Sequence, residues 1–94
     1  MNNKVIRVKL GDIFKISLDS NPTTGYQWEL KFDPNYLQLE DRTYIPSNSK
    51  LGGRGREYFS FKSLKNGKPK ITMQYKRSWE STEIKKEVFF VEII

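Results

Sequence analysis

Along most of this chain apolar and polar residues alternate with a period of two. Ile6, Val8 and Leu10 are separated by Arg7 and Lys9, and Phe14, Ile16 and Leu18 by Lys15 and Ser17. Tyr26, Trp28, Leu30 and Phe32 alternate with Gln27, Glu29 and Lys31, and Ile71, Met73 and Tyr75 with Thr72 and Gln74. A strand sends successive side chains to opposite faces, so each stretch predicts a strand with one dry and one wet face. Three more strands are less regular. Leu37 to Tyr44 starts with Leu37 and Leu39 on one face and then turns polar. Glu57 to Leu64 has Phe59 and Phe61 on one face and Tyr58 on the other. Ile84 to Ile93 contains Val88-Phe89-Phe90-Val91, apolar on both faces. That run predicts a strand covered on both sides or an edge resting on its neighbour.

Turn residues punctuate these stretches at Gly11-Asp12, Asn21 to Gly25, Asp33-Pro34-Asn35, Ile45 to Gly55, Asn66-Gly67 and Arg77 to Thr82. Asn66-Gly67 predicts a tight hairpin with positive φ at both central residues. The one candidate helical turn is Asp33 to Leu37, with Pro34 at a first-turn position. Seven short strands with turns about every 8–12 residues predict an all-β fold, an immunoglobulin-like β-sandwich in two sheets. An OB-like barrel is the alternative, and it has too few strands. The longest connection runs from Ile45 to Gly55 and is the one expected to move most.

The 94 residues suit one domain, 1–94, with a single core. There is no cysteine and no histidine, so disulfides, thiolate metal sites and Ser-His-Asp or Cys-His catalysis are excluded. The carboxylates show no spacing that suggests a paired acid and base, so neither an enzyme nor a cofactor is expected. Seventeen Lys and Arg against eleven Asp and Glu give a formal charge of +6. Such a charge either steers the domain to an acidic partner or describes a soluble lysine-rich surface. The densest basic group is Lys62, Lys65, Lys68 and Lys70. No apolar run reaches the roughly 20 residues that cross a bilayer, so no membrane partner is expected. Met1-Asn2-Asn3-Lys4 is not followed by a signal-peptide core and cleavage site. Either export does not use that route, or the chain is a mature form or a domain of a longer protein.

Three connections hold more unusual residues than a turn needs: Asn21-Pro22-Thr23-Thr24-Gly25, Leu51-Gly52-Gly53-Arg54-Gly55-Arg56 and Lys76-Arg77-Ser78-Trp79-Glu80. Pro22 fixes one backbone angle, Gly25 permits positive φ, and the two threonines have few rotamers to lose. The first loop is therefore stiff and uncharged. The glycines match no phosphate-loop pattern, but their unobstructed backbone can exchange main-chain hydrogen bonds with a partner. Trp28 sits on a clean alternating strand and belongs to the core, whereas Trp79 falls in a turn. Each loop alone has a plain structural explanation. With the strands labelled A, B, C, C′ or D, E, F and G, the loops become B–C, D–E and F–G, which share one tip of the sandwich. Loops gathered at one tip suit a binding module.

In these residues the chain resembles the chagasin-like inhibitors of papain-type cysteine peptidases. The family's motifs stand here as Asn21-Pro22-Thr23-Thr24-Gly25-Tyr26, Gly52-Gly53-Arg54-Gly55 and Arg77-Ser78-Trp79, in the family's order and over nearly the whole chain. The first motif is highly specific, the second weak alone and the third moderate. Ser78 departs from the usual proline, which implies a less constrained F–G loop. The resemblance implies an immunoglobulin-like sandwich that forms a 1:1 complex, as a monomer, with a papain-like, cathepsin-L-like peptidase. It implies that Thr23 and Thr24 enter the catalytic cleft near the enzyme's Cys–His pair. The loop around Leu51 to Gly55 would lie along the non-primed subsites, and Trp79 would stack on the primed side. Inhibition is then reversible occlusion. Two competing readings come from the residues themselves. One is a basic module for single-stranded nucleic acid or an acidic protein, but most rings alternate inward, so no nucleic acid is expected. The other is an adhesion or spacer domain, which predicts nothing special at the three loops.

Overall fold

Seven of the alternating stretches pair as strands, divided between two sheets. The computed structural model describes residues 3–46 and 55–94. In chain order the strands are β1 (Asn3–Val8), β2 (Ile13–Ser20), β3 (Tyr26–Lys31), β4 (Leu37–Pro46), β5 (Gly55–Ser63), β6 (Lys70–Arg77) and β7 (Lys85–Ile93). One sheet has the order β1-β7-β6-β3 and the other β2-β5-β4. All neighbours are antiparallel except β1 and β7, which pair in parallel from Asn3 opposite Val88 to Val8 opposite Ile93. The fourth strand pairs with the fifth, so it is strand D and not C′.

The dry faces of the two sheets meet. β2, β4 and β5 contribute Ile16, Leu18, Leu37, Phe59 and Phe61; β3, β6 and β7 contribute Trp28, Ile71, Met73, Tyr75, Phe89, Val91 and Ile93. Each such side chain taken from water contributes about 1.5–3 kcal/mol. Trp28 keeps its polar atom satisfied by donating from Nε1 to the Asp19 carbonyl at 3.0 Å. Asp33 caps its own turn: its Oδ1 accepts from the Asn35 N–H, and its carbonyl accepts from Tyr36 and Leu37. The segment expected as a helical turn is a hydrogen-bonded turn, and the one helical element among the described residues is instead the 3-10 turn Pro22–Thr24.

Three local expectations need correction. Asn66-Gly67 is not a hairpin, because β5 and β6 belong to different sheets. The segment arches across the end of the sandwich. Gly67 has φ +153°, no described non-glycine residue has positive φ, and Gly67 bridges to Ile93. Glycine is required there because a Cβ would meet the Tyr36 ring at 2.6 Å. β4 is longer than its alternation, and its register shifts between Leu39 and Asp41. That bulge changes which face each residue takes, which is why the pattern fades after Leu39. β7 is neither an edge nor covered on both faces. It lies between β1 and β6, with Phe89, Val91 and Ile93 inward and Phe90 partly exposed on the outer face.

Candidate functional site at one end of the sandwich

Strand register brings three connections to one end. Ser20 closes β2 opposite Gly55, Gly55 opens β5 opposite Pro46, and Tyr26 opens β3 opposite Arg77. The B–C, D–E and F–G connections therefore leave the sheets side by side. Leu51, Gly52, Gly53 and Arg54 of the D–E connection lie outside the described residues. Gly55 is glycine for a reason within the fold: a Cβ there would strike the Ile45 carbonyl across the ladder.

The B–C connection is a single 3-10 turn, Pro22–Thr24, between Asn21 and Gly25. The Asn21 carbonyl accepts from the Thr24 N–H at 3.3 Å and from Thr24 Oγ1 at 2.8 Å. Gly25, at φ +83°, donates its N–H to the Pro22 carbonyl and ends the turn. Few residues other than glycine take that backbone angle cheaply. The turn is also tied to the core, since the Asn21 N–H donates to Tyr75 Oη at 2.8 Å. A segment fixed at both ends in this way has little freedom left to lose on docking.

The F–G connection is closed by main-chain and side-chain bonds. The Glu80 N–H donates to the Arg77 carbonyl at 3.0 Å, and Lys76 Nζ donates to the Glu80 carbonyl at 2.6 Å. Lys76 Nζ also pairs with Glu29 at 3.2 Å. These braces restrain the turn where Ser78 lacks the ring of a proline. At the foot of the loop, the Glu83 carboxyl is held below the ordinary glutamate range. Its own backbone N–H is the main cause, with the Gln74 amide next; that amide donates to Glu83 at 3.2 Å.

Trp79 is 72% exposed, so it is a surface residue, as its place in a turn implied. It is nevertheless held. The Arg77 guanidinium lies 4.6 Å from the Tyr26 ring centroid and 5.8 Å from that of Trp79. Below it Tyr26 stacks on Tyr75 at 5.4 Å, and Tyr75 packs on Trp28 at 4.8 Å. Stacked groups thus continue from the core to the exposed indole. Arg77 Nε is buried with no hydrogen-bond partner among the described residues, so ring faces hold this cation.

Sequence reasoning missed Arg42. It donates to the Trp28 carbonyl at 2.8 Å, pairs with Glu57 and lies over the Phe59 ring at 5.0 Å. This joins β4 to β3 across the open side of the sandwich, beneath the B–C turn. With Tyr44, Glu57, Ser20, Pro22, Tyr26 and Gln27 it lines a recess of about 270 Å³. No alternation could reveal it, because the β4 bulge sets its direction.

The family model described as Chagasin family peptidase inhibitor I42 matches residues 7–93. Chagasin of Trypanosoma cruzi is 30% identical, over 96% of this chain and 87% of its own length. The chain belongs to the chagasin family. Amoebiasin-2 of Entamoeba histolytica is a second relative, 30% identical over 84% of this chain and 67% of its own. The crystal structure of the cysteine protease inhibitor EhICP2 from Entamoeba histolytica superposes with a TM-score of 0.90 at 24% identity, covering 99% of this chain and 88% of that one. A structure of PbICP-C in complex with falcipain-2 gives 0.70 at 21% identity, covering 99% and 90%. At such identities these likenesses bear on the fold, which is the expected immunoglobulin-like sandwich. As a chagasin-family cysteine protease inhibitor, the protein is not an enzyme. Of the family's motifs, Asn21 to Tyr26 and Arg77 to Trp79 stand together at one end, with Gly55 at its margin.

Proposed function

We propose that residues 1–94 form one inhibitor domain that binds papain-like (clan CA) cysteine peptidases reversibly and tightly, as a monomer in a 1:1 complex. The turn carrying Thr23 and Thr24 enters the catalytic cleft. The loop from Leu51 to Gly55 runs beside it through main-chain hydrogen bonds, and Trp79, with Arg77 and Ser78, covers the other flank. The observation that carries this reading is Trp79: 72% exposed, yet backed by Arg77 and Tyr26. An exposed tryptophan held by stacking is costly to keep in water and cheap to dock, the profile of a binding hot spot. The nucleophile of a papain-type enzyme is a thiolate beside a charged imidazole. A neutral, stiff turn can fill that site without supplying a metal, an acid or a base. PbICP-C, a structural neighbour, is known in complex with falcipain-2, and this supports the choice of target class.

Titration of active-site-counted papain and of a cathepsin-L-like enzyme tests this. Activity should fall to zero near one equivalent and return on dilution. Full activity at micromolar excess of the protein would sink the proposal.

A further inference from the structure

At the end opposite the three loops lies a cleft of about 530 Å³ lined by three lysines, Lys31, Lys68 and Lys70. Asp33 is the one carboxylate among its lining residues, and its Oδ1 already accepts the Asn35 N–H at 2.9 Å. None of the three ammonium groups lies within ion-pair distance of a carboxylate among the described residues. Three like charges around one recess repel each other, and they are offset only in part, by Asp33 in the lining and by Glu83, which feels Lys31 from outside ion-pair distance.

The segments that carry these lysines are fixed. Lys31 sits on β3 opposite Thr72 of β6, and Thr72 adds a hydroxyl to the lining. Between β5 and β6 the arch is pinned at three points by four main-chain hydrogen bonds. Leu64 donates to the Tyr36 carbonyl at 2.8 Å, Gly67 and Ile93 exchange main-chain bonds, and Val91 donates to the Pro69 carbonyl at 2.8 Å. Gly67 also packs directly on the Tyr36 ring. The lysine-bearing backbone is therefore built in place before any ligand arrives.

We propose that this cleft binds a small ligand bearing several phosphate groups. Lysine ammoniums act as point charges toward phosphate oxygens, and a multiply charged ligand can answer three of them at once. The volume lies in the range of small-molecule sites. A nucleic-acid strand is disfavoured by the rings. Phe32 is set edge-on against Phe61 at 5.2 Å, and Tyr36 is covered by Gly67 and by Lys65 at 5.3 Å. Neither ring is free to stack a base. The phosphates can come from a soluble oligophosphate or from a phosphoinositide headgroup. This site is independent of the peptidase-binding loops.

Calorimetric titration with tripolyphosphate and co-sedimentation with phosphatidylcholine vesicles test the proposal. The vesicles are doped with either phosphatidylinositol bisphosphate or phosphatidylserine. A soluble ligand predicts saturable one-to-one binding of tripolyphosphate, weakened at least about tenfold in Lys68→Ala/Lys70→Ala. A headgroup predicts sedimentation with the phosphoinositide vesicles and not with phosphatidylserine, lost in the same variant. Lys15→Ala/Lys62→Ala, which removes equal charge away from the cleft, should bind as the unmodified protein does. Both variants should keep its melting temperature and its inhibition of papain. Absence of saturable binding in every arm would overturn the assignment. So would equal loss in both double variants, equal binding to the two vesicle types, or tighter binding of single-stranded RNA than of tripolyphosphate.

Discussion

Trp79 rests against Gly25. A Cβ built on Gly25 would stand 3.5 Å from the Cη2 atom of the indole, an ordinary contact distance, so the B–C and F–G loops touch through a residue that has no side chain. Space is not what demands glycine here; the backbone angle of +83° is. Gly25→Ala should therefore lower stability by about 1–2 kcal/mol, the cost of a left-handed alanine. Thermal unfolding measures this, and an unchanged melting temperature would mean that the turn adjusts freely.

Trp79→Ala should weaken inhibition of a papain-like enzyme by about 2 kcal/mol or more, roughly thirtyfold in the inhibition constant. Because the indole is mostly exposed, the melting temperature should change little. A normal inhibition constant would remove Trp79 from the binding surface.

Thr24→Asp places a charge beside the proline-led turn. Burying it in an enzyme cleft without a partner should raise the inhibition constant by at least about tenfold. Thr24→Ser keeps the hydroxyl that donates to the Asn21 carbonyl and should inhibit normally. If both variants inhibit alike, that turn does not enter the cleft.

Arg42→Met keeps a long apolar stem over Phe59 but removes the bonds to Trp28 and Glu57. Glu57 is largely buried, with its side chain 13% exposed, so stability should fall by about 2 kcal/mol in denaturant titration. A loss under half that would mean that water replaces the guanidinium.

Glu83 titrates below an ordinary glutamate because its charged form accepts hydrogen bonds from its own N–H and from Gln74. A lowered folded-state pKa adds stability that is fully present above the unfolded value and is lost as pH falls through the folded one. Glu83→Gln should therefore lower stability slightly at neutral pH, change it little once pH is below the folded-state value, and so flatten the acid limb between the two. Carboxyl NMR shifts that follow an ordinary glutamate curve would contradict this.

Much of the core was legible in the sequence. Ile16, Leu18, Trp28, Ile71, Met73 and Tyr75 fall inward because a strand's two faces alternate, and that rule needs no tertiary knowledge. What it cannot tell is which sheet a strand joins. Asn66-Gly67 therefore looked like a hairpin when it is an arch between sheets. Nor can it anticipate a bulge, and the shift after Leu39 is what aims Arg42 at Trp28. The tip was legible as a set of odd residues: Pro22, Gly25 and Trp79 in turns. The stacking of Arg77 between Tyr26 and Trp79 was not, because it depends on Tyr26 and Arg77 standing opposite each other across the ladder between β3 and β6.

The parallel pairing of β1 with β7 has a bearing on how the molecule is assembled. Arg7 and Glu92, joined by a salt bridge, stand 85 positions apart. Among the described strands β1 pairs with β7 alone, so it cannot dock until β7 has been made and is in place. Its contacts reward folding only after the largest loop has been closed. During synthesis β1 waits undocked, and the four-stranded sheet is completed by the strand that precedes its three sheet-mates in the chain.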